Sequence, residues 1–218
     1  MKRIISTTLL AGALLALSAL AGSLRAGVID LDSKAGLVNS VNASTVAITP
    51  HPLWEPNNPV NPGDPTDLSA VWISYADTGF GGADFQPQSN TPISIFQPFT
   101  SGAGFLTLNV WADDTAEVFL DNVSLIAPKF TQSICSGQPI GCQPQDVGSL
   151  NNIALTAGNH VLRFDVYQVG SGTDTTSNPF GLLYTGTATA TPEPATVFLA
   201  GGVLLTLGLV RKRRSVKS

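Results

Sequence analysis

Period-two alternation of apolar and polar residues is the feature that most constrains this chain. Residues 105–111 and 160–167 show it most clearly, and no helical period runs through residues 27–191. Successive side chains of a strand point to opposite faces, so each segment predicts a strand with one buried face. The residues predicted to face the core are Leu106, Leu108, Val110, Leu162, Phe164 and Val166.

Several further short segments are rich in β-branched and aromatic residues, and stretches of Gly, Pro, Asn and Ser separate them. The dipeptide Asp121-Asn122 joins two of them and is typical of a two-residue hairpin turn. Short strands with turn signals between them predict an all-β fold, an antiparallel sandwich or barrel. The added strands are predicted at 70–75, 93–99, 116–120, 123–126 and 182–188, and long loops at 51–67, 78–90 and 128–146.

The N-terminus has the composition of a secretory signal peptide. Lys2 and Arg3 precede an apolar stretch, and small residues follow it. A charged start, an apolar middle and a small-residue exit predict an exported chain with a signal helix over residues 1–26. Cleavage is expected after Ala26, with Ala21 as the second site, and an uncleaved anchor is the alternative.

The C-terminus contains three consecutive parts. Proline resists helix, so the first part is an extended hinge. The second is an uncharged apolar run of 16 residues, 195–210, which spans about 24 Å as a helix against a hydrocarbon core of about 30 Å. The third is basic and is expected to stay in the cytoplasm. The first and third parts consist of Pro192, Glu193, Pro194 and of Arg211, Lys212, Arg213, Arg214.

This order resembles the PEP-CTERM sorting signal of Gram-negative bacteria, over residues 191–218. The resemblance implies that an exosortase, a membrane cysteine protease, is a partner and cleaves near Glu193. The chain is then exported through the inner membrane, held transiently by the 195–210 transmembrane helix, and released to the cell surface or the extracellular matrix. An ordinary single-span anchor is the alternative.

Charge is uneven along the chain. Residues 27–191 contain three Lys or Arg against 14 Asp or Glu, a net charge of −11, whereas the full chain carries −4. So acidic a surface repels nucleic acid and anionic lipid headgroups. Neutral sugars, calcium and cationic partners remain compatible with it.

Two cysteines, Cys135 and Cys142, lie seven residues apart. In an oxidising compartment a disulfide is expected, and the small loop restrains local structure more than the whole fold. A metal site needs further ligands, and neither His51 nor His160 lies at ligand spacing from a cysteine.

Several segments, in order, resemble a galactose-binding-domain-like jelly roll, as found in bacterial surface proteins. The similarity covers roughly residues 65–190, within an exported sandwich domain at 27–190. A shared fold does not by itself imply a shared function. The segments that carry the resemblance are 70–74, 109–114, 118–122, 155–166 and 178–182.

Two groups of residues are candidates for ligand binding. The densest acidic cluster consists of Asp113, Asp114, Glu117, Asp121 and Asn122, and its candidate metal ligands are Asp113, Asp114 and Asp121. Oxygen ligands suit calcium, although Asp and Asn also favour turns for local reasons. Trp54, in the Pro-rich loop, is the expected exposed sugar contact. Trp72 and Trp111 lie in predicted strands and are expected in the core.

No catalytic pattern is present: nucleophile elbows, zinc-binding HExxH sequences and phosphate loops are absent. The chain is therefore expected to be a non-catalytic surface or matrix protein without a required cofactor, and a structural component of the exopolysaccharide matrix. A carbohydrate-binding, lectin-like module that uses calcium is the first alternative, and an enzyme acting through a carboxylate is the second.

The tail provides the first testable prediction. Glu193→Ala removes the charged residue of the Pro-Glu-Pro sequence, so we expect an uncut precursor that stays in the membrane fraction. Immunoblotting of cell fractions from the native host measures this, with Glu55→Ala as the matched control outside the tail. A Glu193→Ala chain that reaches the matrix at mature size contradicts the sorting hypothesis.

Overall fold

A computed structural model describes residues 27–41, 44–131, 135 and 139–191. The predicted signal peptide, the Pro-Glu-Pro sequence, the apolar span and the basic tail lie outside these residues. Within the described ranges, no helix has the length and apolar character needed to cross a bilayer. Residues 27–190 form one compact unit.

Strands account for nearly all the regular structure of the described residues, together with a 3-10 helix at Pro144–Asp146. The strands are β1 Val28–Asp30, β2 Val38–Asn39, β3 Val46–Ala47, β4 Ile73–Ser74, β5 Ile93–Ser101, β6 Gly104–Asp113, β7 Thr115–Leu120, β8 Val123–Ile126, β9 Gly148–Leu155, β10 Gly158–Tyr167 and β11 Gly181–Ala190.

The described strands form two antiparallel sheets that pack face to face. Sheet A has the order β3-β4-β11-β6-β9, with β1 also paired to β11, and sheet B has the order β2-β5-β10-β7-β8. From β5 to β11 the chain changes sheet at every connection except the β7–β8 hairpin. The predicted all-β antiparallel sandwich is confirmed.

The main core lies between the sheets, and the predicted alternation is confirmed. Every inward residue predicted on β6 and β10 is at most 1% exposed. The ring of Phe164 in sheet B stacks on Tyr184 in sheet A, with 4.2 Å between ring centroids. The Tyr184 hydroxyl donates a hydrogen bond to Gln97, which satisfies its buried polar atom.

Sheet A is also covered on its outer side, by the loops that follow β3 and precede β9. These loops bring a second apolar cluster against β6 and β11, which leaves most of β11 buried on both faces. Glu55 N–H donates to the Cys142 carbonyl at 2.8 Å and Ala112 N–H to the Gly141 carbonyl at 3.0 Å, so the two loops and β6 are joined. The cluster consists of Ile48, Trp54, Ala70, Trp72, Trp111, Cys135, Cys142 and Leu183.

Local predictions were largely confirmed, with two differences. Asp121 and Asn122 have positive φ angles of 51° and 67°, as the hairpin turn requires. The strand predicted at 70–75 contracts to β4, because Val71 and Trp72 donate their N–H groups to Ser33 and to the side chain of Asn57 instead of to a strand. Strands β1, β2, β3 and β9 were not predicted.

The sandwich core gives a stability prediction. Phe164→Ala removes a fully buried ring, so we expect the free energy of unfolding to fall by about 3–5 kcal/mol. Val161→Ala, on the same strand and 40% exposed, should cost less than about 1 kcal/mol. Urea titration of residues 27–191 measures both, and similar losses for the two variants contradict this packing.

Candidate functional site

Asp113 and Asp114 lie where the chain crosses from one sheet to the other. Asp113 is the last residue of β6 in sheet A, and β7 of sheet B begins directly after Asp114. The two residues are joined by a cis peptide bond. Despite their charge they are only 4% and 5% exposed, and buried carboxyls require specific partners.

Each carboxyl accepts one hydrogen bond from a neighbouring loop. Trp54 Nε1–H donates to Asp113 Oδ2 at 2.9 Å, and Val169 N–H donates to Asp114 Oδ2 at 2.6 Å. The two carboxyls are also close enough for each to shift the pKa of the other. No ion pair found among the described residues involves either of them, so the pair has no neutralising base.

This environment raises the pKa of both groups. Burial raises the pKa of Asp113 well above its ordinary value, and the charge of Asp114 adds to the effect. Burial also raises the pKa of Asp114, while Asp113 and the hydrogen bond from Val169 act in the opposite direction. The pair therefore retains a proton at pH values where an exposed aspartate is ionised.

The carboxyl pair opens into a pocket of about 420 Å³. Three parts of the chain form its wall: the loop at 51–54, the carboxyls, and the loop at 169–179. Cys135 completes it. The lining residues are His51, Leu53, Trp54, Asp113, Asp114, Cys135, Val169, Gly170, Ser171, Gly172, Ser177, Asn178 and Pro179.

Asn178 lines the pocket and carries a buried polar atom that makes no hydrogen bond. It is 8% exposed, and its Nδ2 atom has no hydrogen-bond partner. Gly170 and Gly172 make room for it, because a Cβ at Gly172 would lie 2.3 Å from the Asn178 Cβ. A buried amide donor without a partner costs free energy, and here it belongs to a residue that lines the pocket.

Hydrogen bonds fix the loop at 169–179. Asp174 Oδ1 accepts from Thr176 N–H at 3.0 Å and from Ser177 N–H at 2.8 Å. The Thr176 side chain, followed by these backbone donors, lowers the pKa of Asp174 to about 2. Gln168 Nε2–H donates to the Asn178 carbonyl at 2.9 Å. The loop thus presents Ser171, Ser177 and Asn178 in a defined arrangement.

The structure corrects the expectation that Trp54 is an exposed sugar contact. Trp54 is 4% exposed, and its ring packs on Trp72 with 4.1 Å between centroids. The cause is the second apolar cluster, which draws the Pro-rich loop onto sheet A. Trp54 still borders the pocket, where it orients Asp113. Trp72 and Trp111 are in the core, as expected.

Asp121 does not join the other two predicted calcium ligands. It lies beyond the far end of β7, separated from Asp114 by about 20 Å of strand. Its carboxylate accepts from His160 Nδ1 at 2.7 Å and from Val161 N–H at 2.9 Å. Burial alone would raise the pKa of Asp121, but these bonds lower it, and the Asp121 hydrogen bond raises the pKa of His160. The single three-carboxylate site predicted from sequence is not formed.

The predicted disulfide is confirmed: Cys135 and Cys142 are bonded to each other. Their sulfur atoms and a carboxylate oxygen of Asp113 lie within 4.8 Å of one another. Metal binding by cysteine requires a free thiolate. In the oxidised protein the disulfide therefore forms a covalent wall beside Asp113, and its sulfur atoms are unavailable as metal ligands.

Sequence reasoning missed His51, Ser171, Ser177 and Asn178 as pocket residues. His51 Nδ1 accepts from Leu53 N–H at 3.2 Å, which leaves its proton on Nε2. Burial lowers the pKa of His51, so the ring is held in its neutral form. The only sequence signal at these positions was polar loop composition, which many surface loops share.

Comparisons with known proteins give distant matches. No family model and no curated protein match the chain. A family 35 carbohydrate-binding module from Clostridium thermocellum matches 74% of this chain and 99% of its own length, with 8% identity and a TM-score of 0.38.

Two larger solved structures match less of their own length. The Podospora anserina GH26-CBM35 β-(1,4)-mannanase matches 78% of this chain but 29% of its own, with 13% identity and a TM-score of 0.34. A Paenibacillus cycloisomaltooligosaccharide glucanotransferase complexed with cycloisomaltoheptaose matches 80% and 20%, with 13% identity and a TM-score of 0.32. These similarities are too weak to assign a family or a ligand.

The carboxyl pair gives a pH prediction. Folded Asp113 keeps a proton that the unfolded chain releases near 3.8, so its contribution to stability is present below that pH and is lost as pH rises through its folded pKa. In chelator, Asp113→Asn should therefore gain stability relative to wild type as the pH rises from about 4 towards neutral. Urea unfolding across this range measures the difference. Parallel curves would show that the pair holds no extra proton.

Proposed function

We propose that this protein is a non-catalytic carbohydrate-binding module of the extracellular matrix, which holds a neutral sugar in the pocket at Asp113 and Asp114 with the help of calcium. The observation that carries the proposal is the carboxyl pair itself. Two buried carboxyls line a polar pocket, and no ion pair among the described residues neutralises them. Their remaining oxygens could bind a ligand in that pocket.

The pocket chemistry supports a neutral polyhydroxyl ligand. Its wall offers carboxyl oxygens, the hydroxyl of Ser171 and the side-chain amide of Asn178, whereas the Ser177 hydroxyl is engaged by Asp174 and Thr173 within its own loop. Among the described residues, neither lysine nor arginine lines it, so this part of the wall offers no permanent cation to an anionic ligand. Its volume is that of a small-molecule site, which suits one or two sugar rings.

The same residues fit a calcium ion. Calcium takes six to eight oxygen ligands from carboxylates, carbonyls and water. Each carboxyl has one oxygen that is not used by Trp54 or Val169, and these oxygens would hold the ion. When bound, the ion replaces the shared proton as the neutralising charge and offers coordination positions to sugar hydroxyls.

The arrangement of the two carboxyls argues against the two-carboxyl mechanism of glycoside hydrolases. Glycoside hydrolases that use two carboxyls separate them by about 5 Å or more, so that the scissile bond fits between them. Asp113 and Asp114 are consecutive residues, and each carboxyl shifts the pKa of the other, so the pair does not have this separation. We therefore assign the pair to binding.

A structural matrix component without a discrete sugar ligand is the second candidate. The burial of Trp54 favours it, because that burial removes the aromatic platform on which sugars commonly stack. Both candidates share the setting implied by the termini: export, exosortase cleavage near Glu193, and release to the cell surface or matrix. That setting rests on the sequence resemblance alone.

Sugar binding is tested with residues 27–191, the exported part. We expect saturable binding to immobilised exopolysaccharide of the host, reduced by chelator. Asp114→Asn removes a ligand charge, so we expect the affinity to fall about tenfold or more and the calcium dependence to disappear. Glu117→Gln, a matched change on sheet B away from the pocket, should bind like wild type.

Three results would argue otherwise. Sugar binding that neither chelator nor Asp114→Asn weakens places the sugar site elsewhere. Binding that Asp114→Asn abolishes but chelator leaves intact keeps the pocket and removes calcium from the proposal. No binding in either buffer, for a chain with native circular dichroism, favours the structural candidate.

A further inference from the structure

Both ends of the sandwich leave it at the same place. Gly27 directly precedes β1 and Ala190 ends β11, and Ala190 N–H donates to the Gly27 carbonyl at 2.9 Å. Val28 on β1 pairs with Thr189 on β11. The segments that the sequence predicts to enter the membrane, before residue 27 and after residue 191, are therefore connected to one end of the sandwich.

Two turns lie beside these chain ends. Gly104, after the β5–β6 turn, pairs with Ala190 on one side and with Leu155, before the β9–β10 turn, on the other. Gly158, after the β9–β10 turn, pairs with Ser101 of β5. We call the surface that these segments form the terminal end of the sandwich; it consists of residues 27–29, 100–106, 154–160 and 188–191.

The terminal end differs in charge from the rest of the sandwich. Its sequence contains no Asp, Glu, Lys or Arg, whereas residues 27–191 carry a net charge of −11. His160, its ionisable side chain, is only 4% exposed. The nearest acids by strand register, Asp30 and Asp121, mark its border. Since an anionic bilayer repels acidic surfaces, the terminal end is the part that can approach one most closely.

Exposed apolar side chains lie at this end. Phe105, 44% exposed, pairs with Thr189, which pairs in turn with Val28, 52% exposed. Paired residues of neighbouring strands share a face, so these three form one row on the outer face of sheet A. The loop that covers this face packs against the sheet two residues earlier, where Gly63 contacts Thr187. The row therefore lies at the border of the covered area, next to the chain ends.

We propose that the terminal end is a bilayer-facing surface, on which Phe105 and Val28 contact the lipid while the chain is anchored. This inference rests on the membrane setting proposed above for the two termini. Apolar side chains gain free energy at the boundary between headgroups and acyl chains. The contact is weak by itself, but the anchor makes it intramolecular and so raises its occupancy.

The length of the chain after β11 supports this surface. Four residue steps join Thr191 to Ala195, where the apolar run begins, and they reach at most about 14 Å. That run is about 6 Å shorter than a typical hydrocarbon core. A span this short brings the residues that flank it to the headgroup level. The terminal end is thus kept within reach of the lipid surface.

The same geometry sets the position of the candidate pocket. Asp113, which lines the pocket, ends β6 opposite Gly181, whereas Gly104 begins β6 opposite Ala190. The nine residue steps between the two ends of β6 span about 30 Å. While the chain is anchored, the pocket is therefore held about 30 Å from the lipid, where an extracellular polysaccharide can reach it.

The test is fluorescence of the full chain in vesicles of phosphatidylethanolamine and phosphatidylglycerol that contain a spin-labelled lipid quencher. Phe105→Trp places an indole on the terminal end, and Leu53→Trp places one at the pocket, on a site that is 52% exposed. The emission from position 105 should shift to shorter wavelength and be lost to the quencher, and that from position 53 should not. Wild type supplies the background of the buried Trp54, Trp72 and Trp111.

A second pair of variants tests the charge of the surface. Ala157→Glu adds one acid to the terminal end, and Thr91→Glu adds one to an exposed site before β5, at the opposite end of the sandwich. In the Phe105→Trp background, Ala157→Glu should weaken the quenching, because the anionic lipid repels the new carboxylate. Thr91→Glu should leave it unchanged. Circular dichroism establishes that each variant is folded.

The outcomes separate this surface from the other proposals. Quenching at position 105 but not at position 53 supports it. A chain that floats with the vesicles in a density gradient without quenching at position 105 overturns it and leaves the anchor intact, and so does equal quenching at both positions. A chain that does not float overturns the membrane setting together with this surface, whereas sugar binding by residues 27–191 is unaffected. A concentration-dependent shift of the position-105 emission without lipid assigns the surface to a second copy of the chain instead.

Discussion

The double burial of β11 is the constraint on which the rest of the structure depends. A central strand of a sandwich normally packs on one face and meets water on the other. Here residues 181–188 of β11 are buried on both faces, so the outer face of sheet A needs its own cover. Two long loops with tryptophans and a disulfide supply that cover.

This cover also assembles the candidate pocket. Packing of Trp54 on Trp72 brings the indole N–H to Asp113. The disulfide places Cys135 in the same wall, and the loop before β11 closes the other side with Asn178. The site is therefore a product of tertiary packing between segments more than a hundred residues apart, and it stands on a β-sheet framework that holds the carboxyls rigidly.

Much of the fold was predictable from local pattern, because the long strands combine alternation with turn chemistry. Buried apolar side chains such as Phe164 recur at every second position of β10. Asp121 and Asn122 lie where a tight turn needs positive φ angles. The short strands β2 and β3 contain two residues each, too few for any period to appear. β9 was missed because its Asn-rich sequence reads as a loop, although β6 pairs with it.

The candidate site was less predictable for a physical reason. Asp113 and Asp114 are adjacent, so the sequence alone identified them as an acidic pair. Asp121 is close to them in sequence but lies at the opposite end of β7. Trp54 was expected outside because its loop is rich in proline. Proline content reports backbone stiffness, whereas the burial of Trp54 depends on an apolar surface that forms only when sheet A is complete.

The covalent wall at Cys135 links the site to the compartment in which the protein resides. In a reducing compartment the thiols stay reduced, so Cys135 lines the pocket without its covalent bond to Cys142. Oxidation closes that side where the protein is expected to meet its polysaccharide. On the proposed route of export, the pocket would therefore be complete only after the Cys135–Cys142 bond has formed, so the oxidation state of one cysteine pair would determine whether the site can bind.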